Sequence, residues 1–270
     1  MAHVRVTSVE KSSKNSRPKD ILGWKNVSND IVEWKNSAVL WIDDTTGDYF
    51  VAWIFRQQHL LSHKKGEVSW LNLIPQGTGS GGLLDVAYKN MKLYVFTIDY
   101  HIKIFDFSRG NPNKEEHVNN PYRNYPFQFV EDPWEYIWKR KIAIRNSGEV
   151  LIILSLKEKE RYEHDEERHL FYVFRMNRGT WERVYSIGDE MLVFGHGVTV
   201  TAPVGDCFGD GIKSGSICFV DDDVWPDHQD HDRRASDCGV FDLATSRIEW
   251  RKRLCVYINK TQWLAPGVAY

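Results

Sequence analysis

The stretch LIPQGTGSGGLLDVAYKN, Leu73–Asn90, spaces Gly77, Gly79 and Gly82 as G-x-G-x-x-G, and its flanks separate an α/β nucleotide fold from an all-β one. A dinucleotide cradle needs a strand running into the glycines and a helix opening from them, so that backbone N–H groups and a helix N-terminus face the pyrophosphate. Upstream, EVSWLNLIP is apolar enough for a strand but closes on Pro75, which has no ladder donor. Downstream, Leu93, Val95 and Thr97 alternate with Tyr94, Phe96 and Ile98, so both faces are largely apolar, as in a strand covered on two sides. No helical period opens from Gly82. The glycines therefore read as a loop between two β units, and no nucleotide or other cofactor is expected.

A chain of 270 residues can bury a sizeable core, either as one large β domain or as two smaller ones. Aromatic residues make up 13%, including 11 Trp, which tilts the composition towards strands. Thirty-five basic against 37 acidic residues leave a formal charge of -2, with no electrostatic case for nucleic acid or an anionic membrane. Apolar runs such as EVLIILSL fall far short of the roughly 20 residues that span a bilayer. No apolar run suited to export follows Met1, so the sequons at Asn26 and Asn259 are expected to go unused, and the chain to reside in the cytoplasm or nucleus. Cys207, Cys218, Cys238 and Cys255 lack C-x-x-C spacing and read as buried, reduced thiols.

Residues 1–36 begin with a polar, Ser-containing, basic segment and read as a tail or remnant. An organellar transit segment is the alternative for that start, although it shows no convincing amphipathic helix. Residues 37–270 read as hairpins. Turns are expected at residues 44–48, 64–67, 146–149, 177–180 and 244–247, where turn residues separate apolar strands. Ile104-Phe105-Asp106-Phe107, Val173-Phe174-Arg175-Met176 and Val240-Phe241-Asp242-Leu243 repeat one pattern, and the last two are followed after a tight turn by Trp181 and Trp250. Trp70 ends a similar unit. Repeated strand-turn-strand units ending on an aromatic suggest the blades of a β-propeller, in which each sheet is sandwiched between its neighbours.

The segments RHLFYVFRMNRGTWERVYSIGDEMLVFGHGVTVTAP, GDGIKSGSICFVDDD and CGVFDLATSRIEW closely resemble the C-terminal half of plant F-box proteins with a KIB-type β-propeller. Upstream, TGDYFVAWIF, KKGEVSWLNL, DVAYKNMKLYVFTIDYHIKIFDF and KIAIRNSGEVLIIL resemble earlier blades of that family in the same order. The resemblance covers roughly Ser37 to Trp250 and implies an all-β, kelch-like propeller that captures a target protein. In the full-length family the propeller is joined to an F-box that docks on a cullin-type ubiquitin ligase. The Leu-Pro pair that opens an F-box is absent before Ser37, which puts a ligase-adaptor contact in doubt, and the family's first propeller strands are missing as well, so an incomplete ring is expected.

No catalytic signature emerges from the remaining chemistry. His59 and His63 stand four apart in HLLSH without the adjacent Glu of the zinc-protease motif, and the surrounding pattern is strand and turn. The loop DDDVWPDHQDHD, residues 221–232, lacks the central Gly and terminal Glu of a calcium loop. Cys207, Cys218, His228, His231 and Cys238 are too irregularly spaced to indicate zinc. The candidate binding residues are Trp225, His228, Trp134 and Tyr136, which lie in or beside long, charged connections; exposed aromatics of this kind bury much area at low entropy cost. The alternatives for the chain as a whole are a propeller enzyme with a spatially assembled site, or a truncated relic.

Overall fold

The computed structural model describes residues 37–43, 45–74, 82–112, 115–130, 135–158, 171–194, 199–204, 213–220 and 238–251. Every regular element among them is a strand, and the strands form four sheets. The first runs in the order β1 (Ala38–Ile42), β2 (Tyr49–Phe55), β3 (His59–Lys64), β4 (Leu71–Asn72), and the second in the order β5 (Leu83–Lys89), β6 (Lys92–Thr97), β7 (Ile102–Asp106). The third comprises β8 (Glu135–Ile144), β9 (Val150–Glu158), β10 (Phe171–Asn177) and β11 (Thr180–Val184), again in sequential order. The fourth departs from this rule. Its strands β12 (Glu190–Phe194), β13 (Thr199–Pro203), β14 (Ser216–Val220), β15 (Cys238–Asp242) and β16 (Ile248–Arg251) are ordered β13-β12-β14-β15-β16, and β12 pairs in parallel with β14.

The sheets stack face to face, and this explains the doubly apolar strands. Phe50, Ile54 and Leu60 of the first sheet pack on Leu83, Val86, Val95 and Phe105 of the second. The second sheet's other face presents Tyr94, Phe96 and Ile104 to Ile142, Ile152 and Leu154 of the third. On its far side the third sheet sets Leu151, Ile153 and Phe171 against Leu192, Phe194, Ile217, Phe219 and Phe241 of the fourth. Each buried aromatic or branched side chain contributes about 1.5–3 kcal/mol by leaving water. Successive sheets sharing cores through both faces are the blades of a β-propeller, so the all-β propeller architecture read from the sequence is present.

The turns follow local chemistry. Asp43 accepts the Thr45 N–H at 2.8 Å, and Asp242 accepts the Ala244 N–H at 2.8 Å, so each carboxylate stands in for a missing backbone partner. Arg178 and Gly179, with φ of 49° and 84°, close β10 on β11. Two further tight turns carried no Gly signal. Arg56-Gln57 (53° and 56°) and Asn90-Met91 (51° and 59°) both take positive φ at two non-glycine residues, a conformation that the flanking antiparallel pairs impose. Gly82, the last glycine of the G-x-G-x-x-G spacing, leads directly into β5, while Gly77 and Gly79 lie outside the described residues. The stretch 115–130 straps the second sheet to the third: the Glu116 N–H donates to the Ile104 carbonyl at 2.7 Å, and the Val150 N–H donates to the Tyr122 hydroxyl at 3.1 Å.

Phe219 and Gly239 sit directly opposite one another across β14 and β15, and a Cβ at 239 would overlap the Phe219 ring. Gly239→Ala therefore pushes that ring into the Phe171 cluster, at a cost of about 1–3 kcal/mol. Thermal unfolding followed by circular dichroism checks this, and an unchanged midpoint contradicts the packing described. Tyr88 stacks on Phe50 with ring centroids 4.1 Å apart, and burial, reinforced by the Asp106 charge, pushes its phenol up to about 12. The neutral phenol is thus favoured by folding. Its contribution is complete below about pH 10, the unfolded value, and is lost as pH rises towards about 12. Tyr88→Phe is expected to reduce the loss of stability across that window in an alkaline titration of unfolding.

Candidate interaction surface

What positions any binding surface here is the innermost strand of each blade. β1, β5, β8 and β13 are successive neighbours, yet β8 pairs through a ladder only with β9, so its other edge has unpaired backbone groups. Side chains from both adjacent blades satisfy that edge. The Ile142 N–H donates to Asp85 Oδ2 at 2.8 Å, Thr201 Oγ1 donates to the Ile144 carbonyl at 2.8 Å, and the Asn146 N–H donates to Glu190 Oε1 at 2.6 Å. Ile142 and Ile144 are spaced by two, as one edge of a pleated strand requires, and Asn146 carries the same spacing into the turn beyond β8.

Both carboxylates carry further partners. Asp85, fully buried, also receives Lys141 Nζ at 3.2 Å and the Ser37 hydroxyl, so it joins the first three blades at one point. Glu190 accepts Arg145 Nε at 2.6 Å, and Arg145 reaches Glu149 at 3.0 Å and the Ile187 carbonyl at 2.9 Å. The Glu190 hydrogen bond, and to a lesser extent Glu149, raises the guanidinium pKa of Arg145, keeping it charged. Lys89 Nζ donates to Asn146 Oδ1 at 2.7 Å, and its own burial lowers its pKa. One end of the blades is therefore fastened by short turns and a charged network.

The other end is built differently. β13 runs parallel to β8, since Thr201 meets Ile144 and Glu190, opposite Pro203, meets Asn146. β14, parallel to β12 and so antiparallel to β8, finishes where β8 starts. The start of β8 and the end of β14 thus lie at the same end of the blades. Trp134, Trp225 and His228 lie outside the described residues; Tyr136 is part of β8, opposite Lys157, and its side chain also lies outside them. Described groups at this end include Ile98, 54% exposed, and Arg140, whose guanidinium lies 5.7 Å from the Tyr100 ring centre.

His59 and His63 both fall on β3 and make ring contacts rather than a metal site: His59 lies near Phe55, and His63 stacks on Tyr49 with centroids 5.8 Å apart. Among the described residues no group of three or more His, Cys, Asp or Glu side chains is placed to hold a metal ion, and no helix is long and apolar enough to cross a membrane. Sequence reasoning missed the half-exposed aromatic row Tyr49, Trp53 and Phe55 on β2. The signal was available as alternation, because Phe50, Ala52 and Ile54 between them are buried.

The model of the KIB1-4 beta-propeller matches residues 8–242. The chain belongs to this family. A putative F-box protein of Arabidopsis thaliana is 55% identical over 94% of this chain and 61% of its own length. A second putative F-box protein of the same plant is 46% identical over 98% and 70%, and the Arabidopsis protein named F-box only protein 7 is 48% identical over 89% and 56%. The chain therefore spans about three fifths of the length of these relatives. The solved structure of an alpha-L-arabinanase from Penicillium chrysogenum aligns with 82% of this chain and 65% of that one, at 9% identity and a TM-score of 0.26, too weak a likeness to bear on activity.

For this KIB1-4 propeller the edge contacts make a quantitative expectation. Asp85→Ala leaves the Lys141 ammonium and the Ile142 N–H buried without their carboxylate, which costs about 3–5 kcal/mol. Thr201→Val removes one neutral hydrogen bond and costs about 1 kcal/mol. Urea unfolding distinguishes the two, and an Asp85→Ala variant as stable as the parent overturns the account of the β8 edge.

Proposed function

We propose that this propeller is a protein-binding module, working as the target-recognition part of an F-box-type subunit of a cullin-type ubiquitin ligase, in the cytoplasm or nucleus. The observation that carries the reading is family membership across residues 8–242 together with relatives named as F-box proteins. The architecture is compatible with it. Blades fixed at their inner edges form a rigid platform, and recognition residues on such platforms sit on the connecting loops. Trp225, His228, Trp134 and Tyr136 are the proposed contact residues, in or beside the connections that precede β8 and follow β14 in the sequence. The reading is one of binding rather than catalysis, and it concerns the client; contact with a ligase adaptor is assigned to no residue of this chain.

The test is quantitative affinity capture from plant tissue with the parent chain and with the variants Trp225→Ala/His228→Ala and Trp134→Ala/Tyr136→Ala. The expected result is a small set of specific clients whose recovery falls at least tenfold in one or both variants while the thermal midpoint stays within a few degrees of the parent. Recovery of the same clients by parent and variants, or of none by the parent, overturns the proposal.

A further inference from the structure

We infer that Met91 is a redox modification site: its thioether takes up one oxygen from hydrogen peroxide, and the Tyr88 hydroxyl holds the resulting sulfoxide, tightening the junction between the first two blades. The site uses none of the contact residues proposed for the client.

Met91 lies in the tight turn between β5 and β6, where Lys89 pairs with Lys92 and the chain reverses through Asn90 and Met91 with φ of 51° and 59°. A non-glycine residue seldom holds that backbone, and Met91 does so with its side chain 42% exposed. Its sulfur and its carbonyl are both engaged. The Tyr88 hydroxyl donates to Met91 Sδ at 3.3 Å, and the Met91 carbonyl accepts the Phe107 N–H at 2.7 Å. Tyr88 and Phe107 in turn pack on Phe50 of the first blade, with ring centroids 4.1 and 4.7 Å from it, and Tyr88 also lies 5.8 Å from Trp41. One surface sulfur is thus joined to the aromatic seam that closes the first blade on the second.

Exposure selects this sulfur. Among the described residues the other methionines are shielded: Met191 is fully buried, and Met176 is partly buried against the core between the second and third blades. In the oxidation an S–O bond forms and the peroxide O–O bond breaks; sulfur gives up two electrons, and the second oxygen leaves as water with the proton of the first. The new oxygen forms beside a hydroxyl already aimed at the sulfur. That hydroxyl stays a donor, because burial, reinforced by the Asp106 charge, pushes the phenol up to about 12. A thioether is a weak acceptor, whereas the sulfoxide is polar and accepts strongly, so oxidation strengthens the bond from Tyr88. The Tyr88 ring is then held more firmly on Phe50, and the oxidised chain is the more stable one. Enzymatic reduction of the sulfoxide reverses the change.

Limited exposure of the whole chain to hydrogen peroxide, followed by peptide mass spectrometry and thermal unfolding, tests the inference. Met91 is expected to gain oxygen about tenfold faster than Met176 and Met191, and the unfolding midpoint to rise by about 2 °C. A methionine sulfoxide reductase should return the chain to its starting mass and midpoint. In Tyr88→Phe, whose ring keeps the stacking but cannot donate, Met91 is still oxidised and the midpoint does not rise; in Met91→Leu the same treatment leaves the midpoint unchanged. Oxidation of Met176 or Met191 as fast as that of Met91 overturns the inference. So does an oxidised parent whose midpoint is unchanged or lower, or an equal rise in the Tyr88→Phe variant.

Discussion

The unpaired edge of β8 is the constraint from which the arrangement of these blades follows. An innermost strand cannot pair on its axial side without closing the sheets into a different fold, yet its N–H and C=O groups are buried and must find partners. Here the partners are side chains of the two adjacent blades, Asp85 from one and Thr201 and Glu190 from the other. The solution fixes more than hydrogen bonds. Because Ile142 and Ile144 of one strand are served from opposite sides, rotation of either neighbouring blade about the axis would break a buried contact. Apolar packing alone would resist such sliding far less, since Ile, Leu and Phe surfaces are forgiving of small shifts in register.

Buried charge raises the cost of any alternative arrangement. Taking Asp85 and Lys141 out of water is expensive, and a pair of well-packed apolar residues would often be as stable. What the pair supplies is selectivity: Asp85 is satisfied only when Ser37, Ile142 and Lys141 all arrive, so the first, second and third blades are specified together. The aromatic seams then supply the bulk of the stabilisation. Phe171 meets Phe194, Phe219 and Phe241 at 4.9, 5.3 and 5.5 Å between centroids, an arrangement of edge-to-face and tilted rings worth more than its buried area alone.

Much of this is legible in the sequence, for reasons that can be traced residue by residue. The doubly apolar run from Leu93 to Thr97 carries its own explanation, since only a sheet covered on both faces accommodates it, and the Asp-led and Gly-containing turns mark where strands reverse. The turn at Arg56-Gln57 is hidden because strand pairing, not local preference, places those residues at positive φ, and at Asn90-Met91 only Asn90 is a residue that favours such a turn. The parallel pairing of β12 with β14 is hidden too, because a side-chain pattern does not encode strand direction. Asp85, Thr201 and Glu190 read as single polar letters within or beside apolar runs, and their partners lie 44 to 57 positions away. Periodicity has no access to contacts at that range. The candidate loop residues were found by composition, whereas the β2 aromatic row required a judgement about which face meets the second blade, and that depends on neighbours rather than on β2.

The contrast between the two ends of the blades bears on where binding can occur. The end bearing Arg145, Glu149 and Glu190 uses its polar groups on one another: each carboxylate accepts from Arg145, and the Ile187 and Asn146 backbone groups are committed to the same network. A ligand arriving there would have to displace bonds already made, so little free energy remains for association. The opposite end leads into long connections instead, and among its described side chains Ile98 is 54% exposed. Rigidity at that end follows from how the β8 edge is capped: the fastening residues lie at and beyond Ile142, towards the turn, so the beginning of the strand carries none of these contacts.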